Sequence, residues 1–546
     1  MFENERVKGR NRTRRPDGGG RSTVFGTRGA VACEHPAAAV AGLRVLDEGG
    51  TAADACVAMA AAMTVLSPMQ TGLGGDAFLL YYEAETGRVR GLNGAGRSPK
   101  GISLEKLLDS DVGEMPERGG LTVTVPGAVR LYEDAATALG NLPLARLLEP
   151  AWELAENGYP VAEVVARYWE ENEGMLRGNE AAARTFLPEG RPPRAGELFY
   201  QADLAATLSA VAEGGADTFY KGEISRSIAR STQEAGGYLS EEDLAAHEST
   251  WVEPIFTEYR GVTVYEIPPP GQGVAALEML NILEGFELGS IDPSGAERIH
   301  LEVEAKKLAF KDLHEKIGDP AFSEIPTESL ISKDYARELH GSISREAAAV
   351  TSPRSGGDTT YLCAVDAEGN GCSFINSLYD SFGSGIVAEG TGISLHNRGK
   401  SFRLIPGHPN ALAPGKQPMH TIIPGLATRE GALWATFGVM GAAMQPQGQA
   451  RLLINLLDYN MGPQEAVDHP RHRHEDGVLR VEGRIPECEI ARLRDLGHRV
   501  EVEEDYMVPA GGAQVIRVHE DGVRACGSDP RKDGCALAQG PAAEGR

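Results

Sequence analysis

Ser355-Gly356-Gly357-Asp358-Thr359-Thr360-Tyr361-Leu362-Cys363-Ala364-Val365-Asp366 is the stretch on which the fold and the chemistry of this 546-residue chain depend. A polar run ends at two threonines, and an apolar strand pattern begins at once. The junction predicts that the chain cuts itself between Asp358 and Thr359, so that Thr359 becomes an N-terminal nucleophile. The competing interpretation is a pair of strand-forming residues that simply follow a flexible loop.

A cut in front of a threonine has a chemical purpose. The hydroxyl is a weak nucleophile until a base removes its proton. A free α-amino group titrates at about pH 8, so it can be that base for its own residue. Before the cut the same nitrogen belongs to an amide and accepts no proton. Cleavage would therefore create the catalyst.

Composition narrows the function classes. The chain is 41% hydrophobic and 24% charged, as soluble globular proteins are. Its net charge of −25 argues against a nucleic-acid partner, because phosphates would repel it. The seven cysteines are odd in number and scattered, which predicts buried thiols in a reducing compartment and no disulfide framework.

The N-terminus predicts no export signal. Residues 1–28 carry eight Arg or Lys, and no apolar segment follows them. We expect a disordered basic arm there and a cytoplasmic protein. The best candidate for a membrane span, Ala52–Leu66, is too short, so no membrane partner is expected.

Hydrophobic periodicity predicts a mixed α and β chain. Thr351–Asp358 has the composition of an accessible linker. The region Pro143–Gly236 is helix-rich. Predicted helices are Pro36–Glu48, Ala52–Leu66, Gly273–Glu284, Ala296–Ile317 and Gln447–Tyr459; predicted strands are Ala77–Tyr82, Arg88–Leu92, Val262–Ile267, Thr359–Val365, Gly371–Asn376, Thr421–Ile423 and Trp434–Phe437.

Cofactor and metal motifs are not supported. The glycines of Thr71–Asp76 stand between a helix and a strand, the reverse of a dinucleotide fingerprint. Gly271-Gln272-Gly273 lacks the Lys-Ser/Thr of a phosphate-binding loop. His469–His474 mixes histidines with arginines and has no completing ligand at standard spacing. We therefore predict neither cofactor nor metal.

The spaced motifs resemble the γ-glutamyltransferase (glutathione hydrolase) family of N-terminal nucleophile hydrolases, from about Gly29 to the end. The motifs that carry the resemblance are Asp358-Thr359-Thr360 with Asp366, Gly369-Asn370, Phe382–Ala388, Thr71–Asp76, Pro268–Gly273, His300–Ala305 and Ser528–Arg531.

The resemblance implies an α+β fold, a four-layer αββα sandwich. Residues 29–358 and 359–546 would be two fragments of one precursor that together form one structural unit. The mature protein would then be a heterodimer of its own fragments, with further dimerisation open. The reaction would cleave an amide through a threonyl acyl-enzyme, with water or an amino acid or peptide receiving the acyl group.

Residue roles follow from the matched positions. Thr359 would be the nucleophile, and Ser377 stands where the family has a threonine whose hydroxyl supports the α-amine. Gly441 and Ala442 match a glycine pair whose backbone N–H groups form the oxyanion hole. Removing one such donor typically costs roughly 3–4 kcal/mol.

The substrate pocket departs from that of members that cleave glutathione. Ala95 replaces the arginine that binds the glutamyl α-carboxylate, and Ser401 replaces the aspartate that binds the α-ammonium. The stretch Phe402–Pro418 is also short, as in the cephalosporin-acylase-like branch. Further pocket positions hold Tyr379, Arg398, His420 and Thr421.

Three functions remain open from the sequence. The first is hydrolysis or transfer of γ-glutamyl or related acyl groups from small amides. The second is a cephalosporin or glutaryl acylase with little glutathione activity, since Arg97, Arg398 and His420 would suit an acidic acyl group. The third is an uncleaved, non-catalytic protein that binds acyl-peptides.

Overall fold

Two seven-stranded antiparallel sheets stand face to face. The computed structural model describes residues 20–110, 112–348 and 357–541. The nucleophile sheet, in spatial order, consists of Cys535–Ala538, Ala30–Cys33, Asp358–Val365, Gly371–Tyr379, Asp76–Glu83, Arg88–Asn93 and Thr250–Val252. The opposite sheet consists of Val24–Gly26, Arg524–Ser528, Ala513–Val518, Ala432–Val439, Gly425–Arg429, Val262–Glu266 and Ile255–Tyr259.

Each sheet combines strands from both sides of the predicted cut. The strand Asp358–Val365 pairs with Ala30–Cys33 on one edge and with Gly371–Tyr379 on the other. In the opposite sheet, Val262–Glu266 pairs with Gly425–Arg429. The regions before and after residue 358 therefore share backbone hydrogen bonds throughout both sheets and form one unit.

Alternation along the central strand divides its side chains between two cores. Tyr361, Cys363 and Val365 pack between the sheets. Leu362 and Ala364 pack under the helices that cover the outer face. By the same alternation, Thr359 belongs to the face between the sheets.

Helices cover the outer face of each sheet, so the layers are αββα. The fold predicted from the family resemblance is confirmed. On the nucleophile sheet the helices include Pro36–Asp47, Ala52–Leu66, Ala128–Leu139, Leu144–Asn157, Glu163–Glu171, Glu180–Phe186, Ala202–Gly214, Ala216–Tyr220 and Glu223–Glu234. On the opposite sheet they include Gly273–Leu283, Ala296–Lys316, Lys333–Ser342, Met444–Leu457 and Pro463–Asp468.

A side-chain clasp fixes the hairpin that follows the nucleophile strand. Asp366 Oδ1 accepts the backbone N–H of Asn370 at 2.9 Å, and Oδ2 accepts the side-chain N–H of Asn370 at 2.9 Å. Asp366 Oδ2 also accepts the N–H of Ala52, the first residue of a helix, at 3.0 Å. The motif of Asp366 with Gly369-Asn370 therefore connects the hairpin to the helix Ala52–Leu66 by hydrogen bonds.

Two predicted segments differ in the structure. The arm predicted for residues 1–28 extends too far, since Val24–Gly26 forms a strand on Arg524–Cys526 and covers that edge. The strand predicted at Thr421–Ile423 is absent, because side chains bind its main chain instead: Ile423 N donates to Gln445 Oε1 at 2.9 Å. Residues 1–19 and 349–356, which include most of the predicted linker, lie outside the described residues. Within the described ranges, none of the helices combines the length and apolarity that crossing a membrane requires.

Candidate active site

A β-bulge lies directly opposite Thr359. Asp358 pairs with Tyr379 and Thr360 pairs with Asn376, so two residues, Ser377 and Leu378, face one. The extra residue is in the neighbouring strand, and the nucleophile strand keeps its regular alternation. Bulges of this kind re-aim a side chain beside an active site. Here the re-aimed side chain is Ser377.

The Ser377 hydroxyl joins the nucleophile to the bond that would break. It accepts a hydrogen bond from Thr359 Oγ1 at 3.0 Å. It donates to the carbonyl oxygen of Asp358 at 2.9 Å. A third bond, from the Tyr379 N–H at 2.8 Å, fixes its position. All these groups are buried.

The predicted oxyanion turn packs against Gly357, which directly precedes Asp358. A Cβ built on Gly357 would stand 2.7 Å from the Ala442 Cβ and 3.0 Å from the Tyr379 carbonyl oxygen. Ala442 and Tyr379 themselves have φ of 49° and 78°. Non-glycine residues in this region are uncommon and concentrate at functional sites. Ala442 is therefore in contact with the residue next to Asp358, and Gly441 adjoins it in the same turn.

A buried glutamine supports this turn. Gln272 Nε2 donates to the Ala442 carbonyl at 2.8 Å and also to the Thr421 carbonyl. The Gln272 N–H donates to the His420 carbonyl at 2.9 Å. The loop Pro268–Gly273, which the sequence singled out, thus braces the turn and the segment that carries two predicted pocket residues.

The Asp358 side chain is buried in a charged cluster of its own. Its carboxylate accepts a hydrogen bond from Ser381 Oγ. Burial raises the pKa of Asp358, and the Lys532 ammonium opposes that rise. Lys532 Nζ also donates to Tyr168 Oη at 3.0 Å. Asp358, which precedes the predicted cut, is thus held by hydrogen bonds at its main chain and at its side chain.

A second buried cluster is centred on Asp76, which pairs with Ser377 across the sheet. Asp76 Oδ2 lies 2.9 Å from His396 Nδ1 and 3.4 Å from Arg398 Nε. Burial would raise the pKa of Asp76, but its imidazole and guanidinium neighbours outweigh burial and hold it below its usual value. His420 Nε2 lies 3.4 Å from the same oxygen, while burial and Arg398 lower the pKa of His420.

Arg398 keeps one free hydrogen-bonding edge. Its Nη1 donates to Thr421 Oγ1 at 2.9 Å, and its guanidinium carbon stands 4.3 Å from the centre of the Tyr379 ring. Its Nη2 is buried and has no hydrogen-bond partner among the described residues. A buried donor without a partner is costly, so a ligand acceptor at this position is favoured.

Two other predicted pocket residues have structural partners. Arg97 is half-exposed, lies 3.3 Å from Asp319 in an ion pair and donates to the Gly415 carbonyl at 3.1 Å. Ser401 Oγ donates to the carbonyls of Arg398 and Met419 at 3.0 and 2.8 Å. The structure brings together four of the predicted pocket residues: Arg398, Tyr379, His420 and Thr421. Arg97 and Ser401 instead bind main-chain carbonyls of nearby turns.

Several buried residues of the site were not predicted from the sequence. Asp76 and Gln272 lie within motifs that were noted for their glycines and prolines, and their polar side chains were the available signal. Glu34, His396 and Lys532 carried no local pattern, because their partners are distant in sequence.

A His-Glu-His group lies elsewhere and has its own internal partners. Donor atoms of His300, Glu304 and His498 lie within 4.8 Å of one another. His300 Nδ1 is 2.9 Å from His498 Nε2, and Lys307 Nζ is 2.6 Å from Glu304. Glu304 is thus already paired with an ammonium and the two imidazoles with each other, so the group carries no metal assignment.

Comparison with known proteins decides the family. A family model described as gamma-glutamyltranspeptidase matches residues 38–539. The chain belongs to the γ-glutamyltranspeptidase family. The glutathione hydrolase-like YwrD proenzyme of Bacillus subtilis (strain 168) is 40% identical over 522 residues, which cover 94% of this chain and 99% of that protein. The oxamate amidohydrolase proenzyme of Klebsiella pneumoniae is 35% identical over 530 residues, with 94% and 99% covered.

A solved structure agrees over the whole length. The crystal structure of cephalosporin acylase from Bacillus halodurans matches with a TM-score of 0.90 and 40% identity, and it covers 100% of both chains. This member of the γ-glutamyltranspeptidase family is therefore an enzyme of that type, with relatives named as hydrolases and as acylases.

Proposed function

We propose that the chain is a proenzyme that cleaves its own Asp358–Thr359 bond and then hydrolyses or transfers acyl groups from small amides through Thr359. One observation carries the proposal: a single hydroxyl, that of Ser377, contacts both the Thr359 hydroxyl and the Asp358 carbonyl. The attacking oxygen and the carbonyl it would attack thus share one buried proton donor and acceptor.

The first step is attack by Thr359 Oγ1 on the Asp358 carbonyl carbon. The threonine proton passes to Ser377 Oγ as the Ser377 proton passes to the carbonyl oxygen, which leaves a neutral tetrahedral intermediate. As the C–N bond breaks, the hydroxyl proton of the intermediate passes to the nitrogen, which gives an ester between Asp358 and Thr359 Oγ1 and the free α-amine of Thr359. Water then hydrolyses that ester to the Asp358 carboxylic acid and the free threonine.

The mature reaction reuses the same atoms. The α-amine takes the proton of Oγ1, the oxygen attacks the substrate amide, and the amine leaving group receives that proton. The resulting threonyl ester is attacked by water or by an acceptor amine, which restores Thr359. The turn at Gly441 and Ala442 would face the developing oxyanion, since it already packs against Gly357.

The acyl pocket favours a substrate whose acyl group ends in a carboxylate. Arg398 Nη2 is the buried donor without a partner, and a carboxylate is its best acceptor. Oxamate, named for one relative, is an amide whose acyl group carries a carboxylate. With Ala95 in place of the arginine, the α-carboxylate of a γ-glutamyl group has no charged partner of the kind that the resemblance implies. With Ser401 in place of the aspartate, the same holds for its α-ammonium. Glutaryl-type acyl groups are therefore our first candidate, and γ-glutamyl amides, which the relative YwrD supports, are the second.

The two fragments would stay together after the cut. Both sheets interleave strands from both sides of residue 358, so separation would break backbone pairing in each sheet. We therefore propose a stable heterodimer of the fragments. The seven cysteines are free thiols, which favours a cytoplasmic location.

The test uses two substrates and three variants. Wild type should show two fragments on a denaturing gel, and Thr359→Ala a single uncut chain. Mature enzyme should turn over glutaryl-p-nitroanilide faster than γ-glutamyl-p-nitroanilide. Arg398→Gln should lose about 10²-fold in kcat/KM on the glutaryl compound, because the charge-assisted hydrogen bond from Nη2 is removed. Arg97→Gln, at a half-exposed arginine, should keep a kcat/KM close to that of wild type.

Three results would contradict parts of this proposal. A preference of the wild type for the γ-glutamyl substrate would replace the first candidate by the second. Equal losses in Arg398→Gln and Arg97→Gln would remove Arg398 from the pocket. A wild-type chain that stays whole and inert would leave only the acyl-peptide binding function.

A further inference from the structure

Glu34 stands where the edge of the nucleophile strand loses its backbone partner. Ala32 and Cys363 are the last pair between these two strands, and the strand Ala30–Cys33 ends one residue later. One position further along, the Glu34 side chain takes over, and its Oε1 accepts the Tyr361 N–H at 3.1 Å. A carboxyl group therefore continues the sheet edge in place of a carbonyl.

The Thr359 nitrogen lies on the same edge. In a regular strand every second N–H points the same way, and the nucleophile strand is regular here because the bulge is in its neighbour. Thr359 N is two residues from Tyr361 N, about 7 Å along the strand. Glu34 Oε2 is buried and has no hydrogen-bond partner among the described residues.

The charges around Glu34 change when the chain is cut. Burial raises the pKa of Glu34 to about 8, Lys532 opposes that rise, and the Asp358 and Asp529 carboxyls add to it. Lys532 Nζ also contacts Tyr168 Oη at 3.0 Å. The new Thr359 α-amine, in its ammonium form, places an opposite charge on the same strand edge, so Glu34 ionises more readily in the cleaved protein.

We infer that Glu34 is a positioning residue for the mature nucleophile: its free oxygen accepts a hydrogen bond from the new Thr359 α-amine. This inference rests on the proposed function. One N–H bonded to Glu34 fixes the rotation of the amine, so that its lone pair faces Oγ1. An ionised carboxylate also stabilises the ammonium form of the Thr359 α-amine. It therefore raises the pKa of that amine, against the lowering effect of the Lys532 ammonium.

The test is the pH profile of mature Glu34→Gln. The amide keeps an acceptor for Tyr361 N–H but loses the charge. We expect kcat to fall about 10-fold or more, as when an orienting outer partner is lost. The acidic limb of kcat/KM, which reports the free α-amine, should move to lower pH by about half a unit or more.

Glu278→Gln is the matched control. Glu278 is another buried carboxyl with a raised pKa, about 9, and it too has an aspartate and a lysine beside it, Asp312 and Lys316. It lies in the helix Gly273–Leu283. Its replacement changes buried charge to a similar degree, and the acidic limb should stay in place.

Each outcome decides the inference. The inference is contradicted if Glu34→Gln keeps the acidic limb of kcat/KM at the wild-type pH and a kcat within about twofold of wild type. A carboxyl group with only a structural role would give that result. Glu34→Asp serves as a second variant, with a smaller shift in the same direction expected. Before the cut Thr359 N is an amide, so both variants should mature. If both remained uncut while wild type and Glu278→Gln were cut, Glu34 would act in the cleavage and the inference would fall.

Discussion

Replacement of Ser377 by alanine should stop or greatly slow the maturation of this protein. The hydroxyl makes three hydrogen bonds, to Thr359 Oγ1, to the Asp358 carbonyl and to the Tyr379 N–H, at 2.8–3.0 Å. Only the donation to the carbonyl strengthens as that oxygen gains negative charge. The variant tests whether this contact is chemical or only architectural.

The magnitude follows from two terms. Loss of one donor to a developing oxyanion costs about 3–4 kcal/mol, or about 10²–10³ in rate. Loss of the acceptor leaves the Thr359 hydroxyl and the Tyr379 N–H unsatisfied, which lowers the free energy of unfolding by about 1–3 kcal/mol. The expected loss in maturation rate is therefore larger than the loss of folding stability alone would cause.

The assay follows the uncut band on a denaturing gel after synthesis. Ser373→Ala is the control, since Ser373 is a buried serine of the same strand that contacts Tyr361 Oη at 2.8 Å, away from the bond that breaks. It should lose stability and mature at close to the normal rate. Ser377→Thr restores a hydroxyl and should mature within about 10-fold of wild type.

Equal maturation rates in Ser377→Ala and Ser373→Ala would refute the reasoning. The hydroxyl would then be a packing feature of the bulge, and another group would have to polarise the Asp358 carbonyl.

Three further predictions concern the same site and the fold around it. Thr359→Ala should remain one uncut chain that does not turn over a glutaryl amide, by release of p-nitroaniline; turnover at the wild-type rate would contradict the assignment. Gly357→Ala should mature at least about 10-fold more slowly on the same gel, because its Cβ would stand 2.7 Å from that of Ala442; an unchanged rate would show that the turn yields freely. Burial lowers the pKa of His472 to about 3, so its contribution to stability is complete above pH 6.5 and is lost as pH falls. Urea unfolding of Thr359→Ala should therefore lose about 2 kcal/mol more between pH 6.5 and pH 5 than the same chain with His472→Asn, and equal losses would contradict the shift.

The sequence was sufficient for elements whose pattern is local. Gly371–Asn376 was predicted as a strand from alternation, and the structure extends it to Tyr379. The extension contains the bulge at Ser377. No local sequence pattern predicts a bulge, because a bulge depends on how two strands pair. The family resemblance named Ser377, whereas only the paired register shows why its hydroxyl reaches both Thr359 and the Asp358 carbonyl.

The contacts of the pocket residues were less predictable, because the ion-pair partners of buried charged residues are distant in the sequence. Arg97 and Arg398 look alike in sequence, yet Arg97 bonds Asp319 at the surface and Arg398 bonds Asp76 in the interior. Glu34 is more than 320 positions from the strand it completes, and its role depends on where strand pairing stops. Such choices depend on the tertiary fold, which periodicity does not encode.

The most direct measurement is the N-terminal sequence and intact mass of the smaller fragment from freshly purified protein. The account predicts a fragment that begins Thr359-Thr360-Tyr361 with a free α-amine, beside a larger fragment that ends at Asp358. A single unbroken 546-residue chain that turns over its amide substrate, or a fragment that begins at any other residue, would contradict it.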